Sequence, residues 1–127
     1  MTNAIKPGVV LFTRDQVRLA KFYETVTDLS VTLAGDQITV LESDTFQLVV
    51  HLIPGAHVVS EPPRIREDCH IKPFFPVDSL AATREKTAAL GGTMRPRSAE
   101  WTARGFRACE AVDPDGNVIQ FRESDPE

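Results

Sequence analysis

The sequence has few cysteines, no long apolar run and no excess of positive charge. Only Cys69 and Cys109 could form a disulfide, and neither their spacing nor their context indicates a disulfide scaffold. We therefore expect both to be thiols packed in the core. No segment reaches the roughly 18 consecutive apolar residues of a membrane span, and residues 1–6 lack the apolar centre of a signal peptide. These absences predict a cytoplasmic protein that does not bind membranes.

The charge balance and the length narrow the protein class further. Fourteen basic residues face 18 acidic ones, and the net charge of −4 gives no support to a nucleic-acid partner. A chain of 127 residues with 42% hydrophobic residues can build one compact core. We therefore predict a single domain over residues 1–127.

The first half of the chain predicts one strand, one helix and three further strands. Asp15 follows the β-branched and aromatic run Val9–Thr13 and can cap a helix. An apolar stripe at helical spacing comes next, formed by Leu19, Phe22, Tyr23 and Val26. Strands are predicted at residues 30–33, 37–41 and 46–53, between turn signals. Residues 5–54 therefore read as a βαβββ module.

The same order of elements returns after a Pro- and Gly-bearing linker at residues 55–68. We predict a strand over His70–Val77, a helix capped by Asp78 and ended by Gly91-Gly92, and strands at 93–95, 106–112 and 118–122. The helix presents one face made of Leu80, Thr83, Thr87 and Leu90. A loop is predicted between residues 96 and 105. Residues 69–123 thus form a second βαβββ module, and the two modules are a degenerate internal repeat.

The turn Asp113-Pro114-Asp115-Gly116-Asn117 is the most specific motif in the chain. Proline and glycine suit a tight reversal before the strand Val118–Phe121. This segment closely resembles the C-terminal signature of the vicinal oxygen chelate superfamily, which includes glyoxalase I, bleomycin resistance proteins, fosfomycin resistance proteins and extradiol dioxygenases. The resemblance runs from about Val9 to Phe121. It implies an α+β fold in which two tandem βαβββ modules form an incomplete barrel with a central cleft and the helices outside, and it implies a homodimer.

Metal-dependent members of this superfamily hold a cation with four side chains. The resemblance places these ligand positions at Gly8, Val49, His70 and Gln120. Glycine and valine carry no donor atom and glutamine is uncharged, whereas catalytic zinc or iron usually has three protein ligands. We therefore expect no metal or other cofactor. The alternative is a divalent metal ion held by His70, Gln120 and His51, although His51 is displaced from Val49 by about 6.6 Å along the strand.

Strand alternation and the resemblance together predict which residues face the cleft. The predicted ligand-binding residues are Phe12, Val49, His51, His70, Lys72, Phe74, Trp101, Gln120 and Arg122. Cys69, Ile71 and Phe75 are then expected to pack under the helices. Lys72 and Arg122 offer a cationic edge to a carboxylate or phosphate, or are solvated ends of strands. Trp101, on the predicted loop, is either a stacking platform for a planar ligand or an anchor of that loop. Glu110 is a weak candidate base, because a bulge near Asp113 would turn it to the other face.

Three functions remain open at this stage. The leading hypothesis is a binding protein whose metal-free cleft holds a small, partly aromatic molecule unchanged, as in antibiotic sequestration. The second is a lyase, isomerase or dioxygenase in which a bound cation polarises a substrate oxygen and a base moves a proton. The third is a domain that mainly mediates dimerisation. The metal content of the purified protein distinguishes the first two hypotheses.

Overall fold

The first half of the chain folds as one four-stranded sheet and one helix. The structure is a computed structural model that describes residues 5–55 and 64–125. The elements are β1 (Gly8–Thr13), α1 (Gln16–Val26), β2 (Ser30–Ala34), β3 (Ile38–Glu42) and β4 (Gln47–Leu52). The strand order is β1-β4-β3-β2, with β1 parallel to β4 and the other pairs antiparallel. The Asp15 carboxylate accepts a hydrogen bond from the Arg18 amide at 3.2 Å, which confirms the predicted N-cap of α1.

The second half repeats this topology with one strand interrupted. Its elements are β5 (Phe74–Val77), α2 (Leu80–Ala89), β6 (Thr93–Met94), a 3-10 turn (Arg97–Ala99), β7 (Trp101–Ala103), β8 (Phe106–Val112) and β9 (Val118–Ser124). The order is β5-β9-β8-β6, and β7 pairs with β8 beyond β6. Strands β6 and β7 therefore occupy the place of one strand. The α+β fold with two tandem βαβββ modules is confirmed, and the two sheets do not close into a barrel within the described residues.

A single hydrophobic core joins the two modules. It takes Leu19, Phe22 and Tyr23 from α1, and it takes Phe75, Ile119 and Phe121 from the second sheet. The Tyr23 hydroxyl donates to the Asp113 carboxylate at 2.5 Å, so the first helix is tied to the motif turn 90 residues further along the chain. Gly116 in that turn has a φ of +88°, which glycine adopts without strain. The turn thus joins the modules as well as reversing the chain.

The second module departs from the predicted bounds at its helix cap and its long loop. The N-cap of α2 is Ser79, whose hydroxyl accepts from the Ala82 amide at 3.1 Å, so the prediction of Asp78 as the cap was wrong by one residue. Asp78 is exposed. The segment predicted as a loop at 96–105 contains the 3-10 turn and β7. Pro96, which has no N–H to donate, stands at the start of the interruption between β6 and β7.

The strand predicted over His70–Val77 begins only at Phe74. Phe74 pairs with Gln120, so continuing this register toward the N terminus would place His70 opposite Gly116, inside the turn before β9 begins. The residues before Phe74 therefore have too little of β9 to pair with, and the backbone pairing ends with the Gln120 amide donating to the Pro73 carbonyl. His70 lies in an exposed bend outside the sheet.

The two cysteines also differ from expectation. Cys109 is fully buried, as predicted, but Cys69 is only partly buried and lies outside the core cluster. Ile71 was expected under the helices and is instead 78% exposed, since it precedes β5 and has no sheet to fix its direction. Phe75 is buried, as predicted. Residues 56–63 of the predicted linker lie outside the described residues, and the proposed bounds of the modules and linker stay a prediction. Within the described ranges, neither helix is long and apolar enough to cross a membrane.

Candidate functional site

Each sheet has one face covered by helices and one open face, and the predicted ligand-binding residues lie mainly on the open faces. On the first sheet, Leu48 and Val50 of β4 point into the core, so Val49 and His51 point the other way. Val10 pairs with Val49, and Phe12 pairs with His51. The rings of Phe12 and His51 are 5.5 Å apart, and Phe12 is 57% exposed. The part of this open face around Phe12 and Val49 is therefore apolar apart from one imidazole, and Glu42 and Gln47 add polar groups at its other end.

The two metal positions that resemblance places on the first sheet cannot supply a ligand. A Cβ added to Gly8 would lie 2.0 Å from the carbonyl oxygen of Gln47 on the neighbouring strand. A larger residue there would push β1 away from β4, so no side chain fits at this position without a backbone shift. Val49, which stands in the middle of β4, offers only an aliphatic side chain. The first sheet therefore presents no donor atom at either position.

Gln120 occupies a third position, in the middle of β9, and its carbonyl oxygen is already engaged. Oε1 of Gln120 accepts a hydrogen bond from Nε of Arg122 at 2.5 Å. Gln120 is buried, and it pairs with Phe74 on one side and Glu110 on the other. In this arrangement a cation approaching Oε1 would meet the positive guanidinium of Arg122, which repels it.

The histidines do not complete a metal centre. His70 lies in the bend before β5, away from the strand pairing that holds Gln120. Nδ1 of His51 donates to the Leu52 carbonyl at 2.7 Å, which leaves Nε2 as its free ring nitrogen. In residues 5–55 and 64–125, no three His, Cys, Asp or Glu side chains come together as a metal site would require. The residues present therefore do not fit a divalent cation of the kind that the alternative function needs.

Lys72 and Glu110 form an ion pair on the open face of the second sheet. Glu110 pairs with Gln120 across β8 and β9, so the ambiguity about its direction is resolved toward the open face. Its carboxylate accepts a hydrogen bond from the Lys72 ammonium. Lys72 correspondingly has much of its charge neutralised.

Arg122 lies between two aromatic rings on the same open face. Its guanidinium carbon is 3.6 Å from the centre of the Phe74 ring and 4.1 Å from the centre of the Phe106 ring. Phe74 comes from β5 and Phe106 from β8, the strands on either side of β9. Arg104 approaches the Phe106 ring from 5.0 Å. Partial desolvation, and then repulsion from Arg104, lower the pKa of Arg122. We call Phe74, Phe106, Arg104 and Arg122 the arginine–phenylalanine cluster.

Sequence reasoning missed Phe106 and Arg104 as members of this cluster. Their proximity to Arg122 depends on the register between β8 and β9, in which Ala108 pairs with Arg122 and Phe106 pairs with Ser124. Diagonal neighbours on one face of a sheet lie within reach of long side chains. The tight turn that joins the predicted strands at 106–112 and 118–122 determines how they pair. That turn was the signal in the sequence from which this proximity could have been found.

Trp101 belongs to a strand rather than to a loop. It pairs with Ala108, which in turn pairs with Arg122, so all three lie in one row across the sheet. Trp101 is 39% exposed. The strand holds its backbone in place, and the partly exposed indole shares the open face with the arginine–phenylalanine cluster.

A cavity of about 690 Å³ lies where the two modules meet. Its wall includes three phenylalanines from both modules, Phe46, Phe74 and Phe75, and also the ends of Lys72 and Asp28. Such a volume and a mostly apolar wall are typical of small-molecule sites. Phe74 is shared, because the same residue lines this cavity and contacts Arg122. The cavity and the cluster are therefore adjacent. Of the nine predicted ligand-binding residues, Lys72 and Phe74 line this cavity.

The comparisons with known proteins agree with this architecture. A family model described as "Glyoxalase-like domain" matches residues 8–121. A glyoxalase/bleomycin resistance protein/dioxygenase family enzyme from Burkholderia phytofirmans is 19% identical, with a TM-score of 0.67 over 92% of this chain and 96% of that one. A glyoxalase/bleomycin resistance protein from Albidiferax ferrireducens is 18% identical, with a TM-score of 0.69 over 94% and 98% of the two chains.

One similar structure carries a more specific description. The fosfomycin resistance protein FosX from Mesorhizobium loti is 16% identical, with a TM-score of 0.66 over 98% of this chain and 95% of that one. At these identities the structural likeness shows the fold alone. No curated protein sequence matches the chain.

Proposed function

Because the chain belongs to the glyoxalase-like domain family and lacks a fitting set of metal ligands, we propose that it binds a small, partly aromatic molecule without metal and releases it unchanged. The observation that carries this proposal is the donor set at the family's metal positions. Gly8 has no room for a side chain, Val49 has no donor, and the oxygen of Gln120 is bound to Arg122. Metal-assisted chemistry needs more donors than these.

The surfaces around these positions support a ligand with an aromatic part. Phe12 and His51 lie together on the open face of the first sheet, and Trp101 lies on that of the second. The cavity between the modules adds the rings of Phe46 and Phe74. Aromatic walls give large apolar contact at little entropic cost, which suits recognition of a planar ring.

We also propose a homodimer. Six large apolar residues on the two sheets are exposed although they stand on strands, namely Val10, Phe12, Val31, Leu33, Phe74 and Trp101. Exposed apolar residues gathered on one face mark interaction sites more often than isolated ones do. A second copy of the chain would cover part of this surface. A cytoplasmic location, expected from the sequence, likewise stays a prediction.

The first test is the metal content of protein purified without chelator and without an affinity-metal resin. We expect less than about a tenth of an equivalent of Ni, Zn, Mn and Fe together. A stoichiometric transition metal that survives dialysis would contradict the proposal. The variant Gly35→Ala is a suitable purification control, since Gly35 lies on an exposed turn and has space for a Cβ.

The second test asks whether a bound molecule is altered. Several similar proteins carry bleomycin or fosfomycin resistance in their descriptions, so these two drugs are the first probes. Antibiotic sequestration predicts that the drug is protected in proportion to the amount of protein and is recovered with unchanged mass after denaturation. Recovery of a modified drug would instead favour an enzyme. Loss of that modification on chelation would place a metal in its mechanism.

A further inference from the structure

We propose that the terminal N–H groups of Arg122 bind an oxyanion group of the ligand, a carboxylate or a phosphate-type group, and that Gln120 is the positioning residue that orients them. The inference rests on the proposed function, because it assigns a chemical class to the ligand of the same open face. It also gives Gln120 a role that differs from metal ligation.

The two rings of the arginine–phenylalanine cluster restrict how a ligand can reach Arg122. A guanidinium is a flat group with two faces and an edge of N–H donors. The centres of the Phe74 and Phe106 rings lie 3.6 and 4.1 Å from the guanidinium carbon, which is contact distance for a ring stacked on a face. Since the rings come from the strands on either side of β9, they restrict approach over the faces of the guanidinium. Approach along the edge remains.

Gln120 uses one side of that edge and leaves the other free. Its Oε1 accepts from Nε of Arg122 at 2.5 Å, so the rotation of the guanidinium about its stem is restrained. Among the described residues, neither terminal nitrogen of Arg122 has a protein acceptor, and no carboxylate lies within ion-pair distance. Two parallel N–H bonds to one oxyanion are the preferred interaction of such an edge.

Other cations that are partly buried in this chain are paired. Lys6 is neutralised by Glu42, and the exposed Lys72 also pairs with Glu110. Arg84 and Arg107 share the carboxylate of Glu100, whose side chain is only 5% exposed. An unpaired arginine on a solvated surface is ordinary. Arg122 differs because it is half-buried, held by a fixed hydrogen bond and stacked on two rings, yet has no acidic partner.

The local electrostatics favour a negative ligand at the same point. Arg104 lies 5.0 Å from the centre of the same Phe106 ring and repels the charge of Arg122. Partial desolvation adds to this, and together the two effects lower the pKa of Arg122. A bound anion would offset both the desolvation of Arg122 and its repulsion by Arg104, whereas a neutral ligand would offset neither. The class of ligand is therefore an aromatic or apolar body with one anionic group, because Phe74 also lines the neighbouring cavity.

The experiment measures binding of simple aromatic acids by ligand-observed NMR. Benzoate and phenylphosphonate separate the two kinds of oxyanion, inorganic phosphate tests the anion without a ring, and benzamide is the uncharged isostere of benzoate. We expect benzoate or phenylphosphonate to bind at least about tenfold more tightly than benzamide, because the amide cannot accept a charge-assisted pair of hydrogen bonds. Affinity should fall as salt rises above about 150 mM.

Three variants separate the effect of the charge of Arg122 from the effect of its orientation. Arg122→Gln removes the donors, and we expect it to weaken the preferred acid about tenfold or more. Arg97→Gln removes one positive charge from the exposed 3-10 turn and should change affinity less than about twofold, since the charge of a solvated side chain is largely screened. Gln120→Glu keeps an acceptor for Nε but adds a negative charge. It should therefore hold the guanidinium in place and still weaken binding of the acid.

The Nε–H resonance of Arg122 in a ¹⁵N spectrum gives a readout that general destabilisation does not produce. In the wild-type protein and in Gln120→Glu this signal should be resolved and protected from exchange with water, and in Gln120→Leu it should exchange rapidly. Protection that persists in Gln120→Leu would overturn the positioning role. Tighter acid binding in Gln120→Glu than in the wild type would overturn it as well.

The outcomes distinguish this inference from the proposed function. Equal affinity for benzoate and benzamide, unaffected by Arg122→Gln, would overturn the oxyanion site and leave the aromatic binding protein intact. Absence of binding by all four probes would count against both. Preference for an acid that is lost in Arg122→Gln and kept in Arg97→Gln would establish the site.

Discussion

Tyr23 is the only tyrosine in the chain, and its hydroxyl is buried against the carboxylate of Asp113. Burial, followed by the negative charge of Asp113, raises the pKa of Tyr23 well above its ordinary value of 10.0. Burial also raises the pKa of Asp113, against the effect of its hydrogen bonds from Tyr23 and Asn117. The folded state therefore favours the neutral phenol, and the associated stability is full below pH 10.0 and is lost as pH rises through the folded pKa.

We predict that the folded protein forms no tyrosinate when the pH passes 10.0. Near-ultraviolet absorbance should show ionisation of Tyr23 only together with the loss of far-ultraviolet circular dichroism, because the phenolate becomes favourable only when the core opens. The same chain in concentrated urea should titrate near its ordinary pKa and serves as the control. Reversible ionisation near pH 10.0 with the circular dichroism unchanged would contradict the buried contact.

Tyr23→Phe should lower the free energy of unfolding by about 1–3 kcal/mol, because Asp113 would lose one of its donors inside the core. Urea denaturation measures this change. Thr25→Val is the control for loss of a hydroxyl on the same helix, since Thr25 donates only to the exposed carbonyl of Lys21. A loss of stability as small as in the control would show that the Asp113 contact contributes little.

Gly8 is the second residue whose environment gives a firm prediction. Gly8→Ala should lower the free energy of unfolding by about 1–3 kcal/mol, since the new methyl group would collide with the Gln47 carbonyl and strain the β1–β4 pairing. Gly35→Ala should change it by less than about 0.5 kcal/mol, because the nearest atom lies 3.4 Å from the added Cβ. Similar stabilities of the two variants would contradict the proposed lack of space at Gly8.

At the level of elements, the cap of α2 offers a test between the sequence-based and the structural assignment. Ser79→Ala should cost about 1 kcal/mol of stability, because it leaves the Ala82 amide without its acceptor. Asp78→Ala should cost less than about 0.5 kcal/mol, because Asp78 is exposed. Denaturation of both variants by urea compares them directly, and a larger effect at Asp78 would restore the sequence-based cap.

The regular elements followed from local patterns, and the departures arose from pairing between distant strands. Helix α1 was predictable because Asp15 and the apolar stripe are local signals, and β8 and β9 were predictable because the motif turn joins them. The start of β5 was not predictable, because it depends on where β9 begins. Strand β7 was missed because three residues flanked by a 3-10 turn and Arg104-Gly105 carry no clear alternation.

In the candidate site, too, some features followed from local patterns and others depended on pairing between strands. Alternation along β4 and β9, anchored by the family resemblance, assigned Val49, Gln120 and Arg122 to positions on the strands. The stacking of Arg122 on Phe106 required the register between β8 and β9, whereas the hydrogen bond from Arg122 to Gln120 joins two residues of β9 itself. The absence of space at Gly8 required the backbone of the neighbouring strand.

The whole molecule has one core but leaves part of its open faces apolar and exposed. The proposed homodimer predicts that Phe12→Glu shifts the protein toward monomer in sedimentation equilibrium, since a charge would be buried at the subunit contact. Val17→Glu places the same charge at an 80% exposed residue of α1 and should leave the assembly unchanged. A wild-type protein that is monomeric at all concentrations tested would contradict the homodimer. Equal assembly of the two variants would exclude Phe12 from the contact.

The interruption between β6 and β7 has a consequence for the solubility of the fold. Unpaired strand edges are templates on which other chains can add and begin fibrils. The outer edge of the second sheet offers only a two-residue and a three-residue segment, and the outer edge of the first sheet, β2, carries a bulge between Val31 and Leu33. Neither of these two edges presents a long regular row of backbone amide groups. The same irregularity that hid β7 in the sequence thus shortens the row of backbone groups on which another chain could add at this edge of the second sheet.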